Sequence, residues 1–227
     1  MTKETIVISV GGSLIYPDNL DVDFLKKFKE IILKHITKGK RFVLVTGGGK
    51  MCRNYQKVAK ELGEPDADDL DWIGIDSTKI NAHLLKAIFK KKANKNIITN
   101  PNDKINFKEK VLIGAGWKPG NSTDYVAVLL AKRLKVKKLI NLTNIDYVYD
   151  NDPKKVYDVK PIKKTNWKVF RKLFGNKWDP GLNSPFDPVA SKEAEKIGLT
   201  VYIINGKNLE NLDNVLQEKK FVGTTIR

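Results

Sequence analysis

Short apolar runs alternate along the chain with longer stretches whose apolar residues recur at helical spacing. Thr5 to Val10 is a β-branched run that predicts a strand, and Arg41 to Val45 predicts a second. Between them, Val22 to Thr37 sets Phe24, Phe28, Ile31, Ile32 and His35 on one helical face. The pattern then repeats. Helices are expected over about Gly49 to Leu62, Gly74 to Lys91, Ser122 to Leu134 and Pro188 to Ile197. Strands are expected over about Asn96 to Thr99, Lys110 to Ile113, Lys137 to Leu142 and Thr200 to Ile204. Ser122 is a natural N-cap, and Asp187 followed by Pro188 is the usual N-cap and first-turn pair, which gives Asp187 a purely structural reading of its own. Strands that alternate with helices predict an α/β fold: a three-layer αβα sandwich with a mainly parallel central sheet.

Asp150 to Gly181 interrupts the rhythm. Pro153, Pro161, Pro180 and Gly181 punctuate a lysine-rich stretch that reads as an insertion over the C-terminal half. No internal repeat or linker is visible, so residues 1–227 are expected to form one domain of two lobes sharing a continuous sheet.

Composition narrows the function. With 227 residues, 41% of them hydrophobic, the chain can build a core without disulfides or a structural metal. Cys52 has no partner within the chain, and His35 and His83 lie far apart with no cysteine near them, so neither a zinc site nor a His-based nucleophile is supported. The longest apolar runs, such as Phe42 to Val45 and Val126 to Ala131, fall far short of the roughly 20 residues that cross a bilayer. The N-terminus runs into IVISV without the features of a secretory signal, so a reducing, cytoplasmic location is expected. Forty-two Lys and Arg against 26 Asp and Glu leave +16, which calls for an anionic partner without saying which.

The candidate chemistry sits in three glycine-rich turns, each following a predicted strand. They are Gly11-Gly12-Ser13, then Thr46-Gly47-Gly48-Gly49-Lys50, then Gly114-Ala115-Gly116 running on to Pro119-Gly120-Asn121-Ser122-Thr123-Asp124. At the carboxyl edge of a parallel sheet such turns let backbone N–H groups approach an anion, and helix N-termini beyond them add partial positive charge. None matches the P-loop or the dinucleotide-binding fingerprint. Lys50 and Arg53 lie one turn apart after the second turn, where both can reach a phosphate or equally be solvated surface charges. Thr143, Asn144 and Asp146 follow the strand KKLINL.

Seven segments in this order resemble the amino-acid kinase superfamily, and most closely its archaeal-type uridylate kinases: GGSLI, TGGGKMCRNY, DWIGIDSTKINA, PGNSTDYVAVLLA, LTNIDYVYDNDPKK, FDPVASKEA and GTTI. The resemblance implies transfer of the γ-phosphoryl group of ATP to UMP, with Mg²⁺ carried by the ATP and no protein metal ligands assigned. It also implies a nucleoside monophosphate lobe over about 1–135, an ATP lobe over about 136–227, and a homo-oligomer, a hexamer. Carried over by residue, Gly12, Ser13, Gly49 and Arg53 would line the ATP phosphates, and Thr143, Asn144, Tyr149 and Asp152 the adenine-nucleotide pocket. Gly48, Asp71, Lys118, Pro119, Gly120, Asn121, Ser122, Thr123 and Asp124 would hold UMP, and Asp187, with Lys50 and Arg53, would act at the transferred phosphoryl group. Such a reaction needs alignment and charge neutralisation rather than a histidine, a cysteine or a strong base. The chain departs from the family pattern in three places. Ser9 stands where many members have lysine, Tyr147 where they have glycine and Lys79 where they have arginine.

Other readings stay open on residues alone. A sibling kinase could act on isopentenyl phosphate, acetylglutamate or carbamate, although Lys50 and Arg53 stand where isopentenyl phosphate kinases place a histidine. A non-catalytic nucleotide-binding protein is another possibility. Lys163 to Trp178 interleaves bases with Trp167, Phe170, Phe174 and Trp178, which could stack on single-stranded nucleic acid. The favoured reading is an amphipathic helix that buries Trp167, Phe170 and Phe174, with no nucleic-acid partner. His83 is read as a packing or subunit-contact residue.

Overall fold

The computed structural model describes residues 4–151, 156–175 and 184–227. Asp152 and Pro153, and Trp178, Pro180 and Gly181, lie outside the described residues. The N-terminal half runs β1 (Thr5–Val10), α1 (Gly12–Ile15), α2 (Val22–Thr37), β2 (Arg41–Thr46), α3 (Gly49–Leu62), α4 (Ala67–Phe89), β3 (Val111–Gly114) and α5 (Thr123–Arg133). It continues through β4 (Lys138–Thr143), β5 (Val148–Tyr149), β6 (Pro161–Ile162), β7 (Lys164–Thr165), α6 (Trp167–Phe174), α7 (Pro188–Lys196), β8 (Thr200–Asn205), α8 (Leu209–Leu216) and β9 (Thr224–Ile226).

Seven strands form one sheet in the order β3-β2-β1-β4-β8-β9-β7. The pairs from β3 to β8 are parallel, and β9 runs antiparallel to β8. Because strand side chains alternate between faces, each strand contributes to two cores. Ile6, Ile8 and Val10 of β1 join Phe42, Leu44, Ile140 and Leu142 on one face, under Phe24, Phe28 and Ile32 of α2, Leu85 and Phe89 of α4, and Leu212 of α8. Val7, Val43, Val45, Leu139 and Val201 join on the other, under Val126 and Leu130 of α5, Trp167 and Phe170 of α6, and Ala190 and Ala194 of α7. The expected mainly parallel αβα sandwich is therefore the fold.

Several expected elements shift for identifiable reasons. α4 begins at Ala67 rather than near Gly74, because Asp66 caps it: its side chain accepts from Asp69 N–H while the Asp69 carboxylate accepts from Asp66 N–H. Asn96 to Thr99 does not form a strand and contributes one parallel bridge, Ile98 to Gly114. The lysine-rich stretch does contain a helix, α6, capped by Asn166. Trp167 and Phe170 are buried as expected while Phe174 is half-buried, and Trp167 Nε1 donates to the Leu199 carbonyl at 2.9 Å, so Trp167 and Phe170 belong to the core and cannot stack on bases. His83 is exposed on α4, so of the two readings given for it packing within the chain is set aside and a subunit contact is left. No helix among the described residues is long and apolar enough to cross a membrane.

Candidate active site

The chain enters the sheet at its centre. β1 passes to β2 and β3 on one side, then returns to β4 and β8 on the other, so the strand order reverses between β1 and β4. In open α/β sheets the crevice outside the carboxyl ends at such a reversal is where ligands bind. All three glycine turns open there. The ladder runs straight into them: Gly11 N–H donates to the Leu142 carbonyl at 3.0 Å and Gly47 N–H to the Val10 carbonyl at 3.0 Å.

The first two turns touch. A Cβ on Gly12 would lie 2.1 Å from Gly49 N and 2.5 Å from the carbonyl carbon of Gly47, so only glycine fits at this crossing. Gly49 has φ +73°, a left-handed conformation that also selects glycine. α1 and α3 both start here, and the N–H groups of Gly12, Ser13, Gly48 and Gly49 have no hydrogen-bond partner among the described residues. Four unpaired donors at two helix starts make a cradle suited to phosphate oxygens.

Around the cradle, Lys50 pairs with Asp18, an exposed contact in which the lysine holds the Asp18 carboxyl below its usual range. Arg53 is exposed one turn further along α3 and has no ion pair among the described residues. Asp71, on α4, accepts from Gly120 N–H at 2.6 Å, which fastens the third loop to that helix. Within the loop, Asn121 Nδ2 donates to the Pro119 carbonyl at 3.0 Å, and the Lys118 ammonium sits 4.5 Å from the centre of the Trp117 ring. Ser122 caps α5 through Tyr125 N–H, so Thr123 and Asp124 open that helix beside the cleft.

A polar link crosses the reversal point. Ser9 Oγ donates to Asp124 Oδ1 at 2.9 Å, and Asp187 N–H lies 3.4 Å from Asp124 Oδ2. Asp124 keeps some exposed surface, but its carboxyl group is deeply enclosed. Burial, assisted by the nearby charge of Asp187 and opposed by the Ser9 hydrogen bond, pushes that carboxyl up to about 6. Asp187 Oδ1 accepts from Ala190 N–H at 2.6 Å, so the structural reading of Asp187 as a cap is realised, at a place next to Asp124. Ser9, where the resemblance implies lysine, instead ties β1 to α5 through a short hydroxyl.

The C-terminal side is built from the end of β4. Thr143 closes that strand, its carbonyl accepts from Gly206 N–H at 2.8 Å, and its hydroxyl lies 3.4 Å from the exposed Asn144. Tyr149 is half-buried on β5, a strand fixed by the chain end: Val148 N–H donates to Thr224 Oγ1 at 2.8 Å. Asp146 accepts from Asn205 Nδ2 at 2.9 Å. Of the proposed adenine-pocket residues, Asp152 lies outside the described residues. Sequence reasoning missed two residues of α4, Thr78 and Asn81. Thr78 Oγ1 accepts from Gly116 N–H at 2.7 Å, and Asn81 Nδ2 donates to the Gly47 carbonyl at 2.8 Å. Their placement seven and ten residues after Asp71, on one helical face, was the available signal.

The amino acid kinase family model matches residues 4–205. The chain belongs to the amino acid kinase family. Within that family it is 36% identical to the uridylate kinase of Thermoplasma volcanium over 227 residues, covering 99% of this chain and 98% of that protein. It is 34% identical to the uridylate kinase of Methanobrevibacter smithii, covering 97% and 98%. The solved uridylate kinase of Archaeoglobus fulgidus superposes with TM-score 0.83 at 29% identity, covering 98% of this chain and 99% of that one. A UMP kinase structure from Bacillus anthracis, at 21% identity and TM-score 0.79, shows that the amino acid kinase fold extends over the chain.

Proposed function

We propose that this chain is a uridylate kinase that moves the γ-phosphoryl group of ATP to UMP. The observation that carries the proposal is the contact between the two glycine turns, which gathers four unpaired N–H donors at the strand-order reversal. An oxygen of the UMP phosphate attacks the γ-phosphorus, the bond to the β,γ-bridging oxygen breaks, and UDP and ADP result. At neutral pH the attacking phosphate is already ionised, so no proton need be removed by a strong base. Charge on the transferred group would be met by the amides of Gly12, Ser13, Gly48 and Gly49, by Arg53, and by Lys50, whose exposed pair with Asp18 is easily exchanged for a phosphate. UMP would lie along the α4-fastened loop, residues 118–124, in the lobe of about 1–135, and ATP against Thr143, Asn144 and Tyr149 in the lobe of about 136–227.

Mg²⁺ fits this donor set in the mode that uses few protein ligands. Among the described residues no group of three or more His, Cys, Asp or Glu could hold an ion, whereas Asp124, with the charge of Asp187 near enough to raise its carboxyl, offers hard oxygens at the reversal point. Bound with ATP, Mg²⁺ would supply charge neutralisation on the phosphate oxygens. Asp187 and Asp124 would hold the ion or its waters, and its charge would relieve the repulsion between their carboxylates.

A homo-oligomer is part of the proposal, with α3 as one contact surface. Met51, Tyr55, Val58 and Leu62 make an apolar stripe along a helix whose only buried residue is Gly49, and Leu62 is 82% exposed. Lys50 and Arg53 lie toward one end and Glu61 toward the other, with Glu64, Asp68 and Asp69 beyond it and Lys57 and Lys60 between. A two-fold axis that sets two copies of α3 antiparallel would bring each basic end to an acidic one. Val58→Asp together with Leu62→Asp is expected to lower the mass measured by light scattering while leaving the circular dichroism spectrum unchanged. An unchanged mass would exclude this face.

The function is tested by ADP release from Mg-ATP with UMP, CMP, isopentenyl phosphate and acetylglutamate offered in turn. Turnover is expected with UMP. Turnover with isopentenyl phosphate or acetylglutamate and none with UMP would replace the proposal with a sibling kinase, and no turnover with any acceptor would leave a nucleotide-binding protein.

A further inference from the structure

Asn81 lies in the middle of α4 and is 2% exposed, with its side-chain amide against the back of the second glycine turn. Nδ2 donates to the carbonyl of Gly47 at 2.8 Å and approaches that of Gly48 at 3.4 Å. In a planar trans peptide the C=O of one residue and the N–H of the next point in opposite directions, and no cis peptide occurs among the described residues. Drawing the carbonyls of Gly47 and Gly48 back toward α4 therefore turns the N–H groups of Gly48 and Gly49 away from it.

The backbone of the turn agrees. Gly48 is right-handed, at φ −79° and ψ −29°, and Gly49 follows at φ +73°. A right-then-left pair curls successive N–H groups into a concavity that binds anions. The turn's own sequence cannot hold that shape, because three consecutive glycines give the most permissive backbone a chain can have. Backbone bonds from Gly47 N–H to Val10 and from Lys50 N–H to Tyr16 hold its ends, and the restraint on the peptides between them comes from behind. Thr78, one turn earlier on α4, does the corresponding work for the third turn: its Oγ1 accepts from Gly116 N–H at 2.7 Å, and its own carbonyl accepts from Thr46 Oγ1 at 3.0 Å.

We propose that Asn81 is a positioning residue for phosphoryl transfer, which locks the Gly47–Gly48 peptides so that two amide donors stay aimed at the phosphate. This rests on the reading of the chain as an ATP-dependent kinase of UMP. Buried behind the turn, Asn81 would act through the turn rather than on a substrate. Its effect is to remove the reorganisation that a glycine turn would otherwise undergo as charge builds on the transferred group, so it should appear in kcat more than in KM.

Two variants and one binding measurement test this. Asn81→Ala removes the donor and is expected to lower kcat by about 100-fold, near the lower end of what loss of an oxyanion donor costs, with much smaller changes in KM for UMP and ATP. Asn81→Asp keeps the shape. Ionised, its carboxylate faces two carbonyl oxygens; protonated, its O–H can donate to Gly47 as the amide did. The ratio of Asn81→Asp to wild-type kcat, taken at each pH, should therefore rise by about tenfold or more between about pH 8 and pH 5.5, the range in which a buried carboxyl with a raised pKa takes up its proton. A packing role predicts a flat ratio. Near-normal kcat in Asn81→Ala, or a flat ratio in Asn81→Asp, overturns the proposal.

Inorganic phosphate titrated into ¹⁵N-glycine-labelled protein separates this proposal from the functional one. Shifts of the Gly48 and Gly49 amides are expected in the wild type and should be lost at high pH in Asn81→Asp. Equal shifts in both proteins would refute the positioning role even if UMP proved not to be the acceptor, and absent shifts in the wild type would refute the cradle itself.

Discussion

Replacing Gly12 with alanine is expected to reduce phosphoryl transfer by about a thousandfold or more, combining misplacement of the reacting groups with loss of amide donors. The added Cβ would lie 2.1 Å from Gly49 N, 2.5 Å from Gly47 C and 2.7 Å from Gly47 O. All three are backbone atoms, so no side chain can swing aside, and the two glycine turns must move apart. Overpacking of this kind costs about 1–3 kcal/mol of stability, which a protein of this size should survive folded. The informative result is therefore a variant with a cooperative urea transition and almost no turnover. A folded Gly12→Ala protein with near-normal kcat would mean that the contact between the turns is not where the phosphates bind.

The second large effect concerns Asp124. Its carboxyl titrates at about 6 in the folded chain, against 3.8 for the ordinary group, because burial and Asp187 disfavour the charge. The folded state thus holds this proton more tightly than the unfolded state does. Between about pH 4 and pH 6 the unfolded chain binds fewer protons at this site, and stability falls as pH rises through that window. The cost at neutral pH is at most about 3 kcal/mol, and less because the residue keeps some exposed surface. Asp124→Asn removes the titration while keeping the shape. Its stability relative to wild type should therefore improve from about pH 4 to pH 6, over the interval between the two pKa values. Activity should move the opposite way, falling by about 100-fold, since the amide cannot carry the negative charge that would organise Mg²⁺ in the proposed reaction. Denaturant titrations at several pH values check the first half, and a stability difference that stays constant across the window would contradict it.

Much of the fold was legible because the sheet is buried on both faces. β1 (Thr5–Val10), α2 (Val22–Thr37) and α3 (Gly49–Leu62) begin and end where the apolar periodicity changes, and Ser122 and Asp187 mark their helix starts through side-chain caps. What escaped depends on contacts between segments distant in the chain. β9 (Thr224–Ile226) is too short to be read as a strand, and exists because β8 offers it an antiparallel edge. α8 (Leu209–Leu216) is short, and polar residues between its buried Leu209, Leu212 and Leu216 obscure both that face and its cap, Asn208. α4 was truncated for the same reason, its acidic first turn resembling a loop.

The candidate site divides in a similar way. The glycine turns could be placed at the sheet edge from their position after strands. That Gly12 and Gly49 touch could not, since it depends on the β1–β2 register and on a left-handed turn at Gly49. Nor could the partners of Ser9: a hydroxyl where the resemblance implies lysine reads as a loss, whereas the structure shows it joining β1 to Asp124 at the base of α5. Asn81 and Thr78 look like ordinary polar positions on a helix until the backbone groups they hold are seen.

A crystal structure with UMP and a non-hydrolysable ATP analogue decides directly where the phosphates sit. It should place the transferable phosphoryl group at the crossing of the two glycine turns, within hydrogen-bond distance of the amides of Gly12, Ser13, Gly48 and Gly49, with the UMP phosphate on the side of the 118–124 loop. Phosphates bound elsewhere, or against side chains alone with those four amides left unpaired, would contradict it.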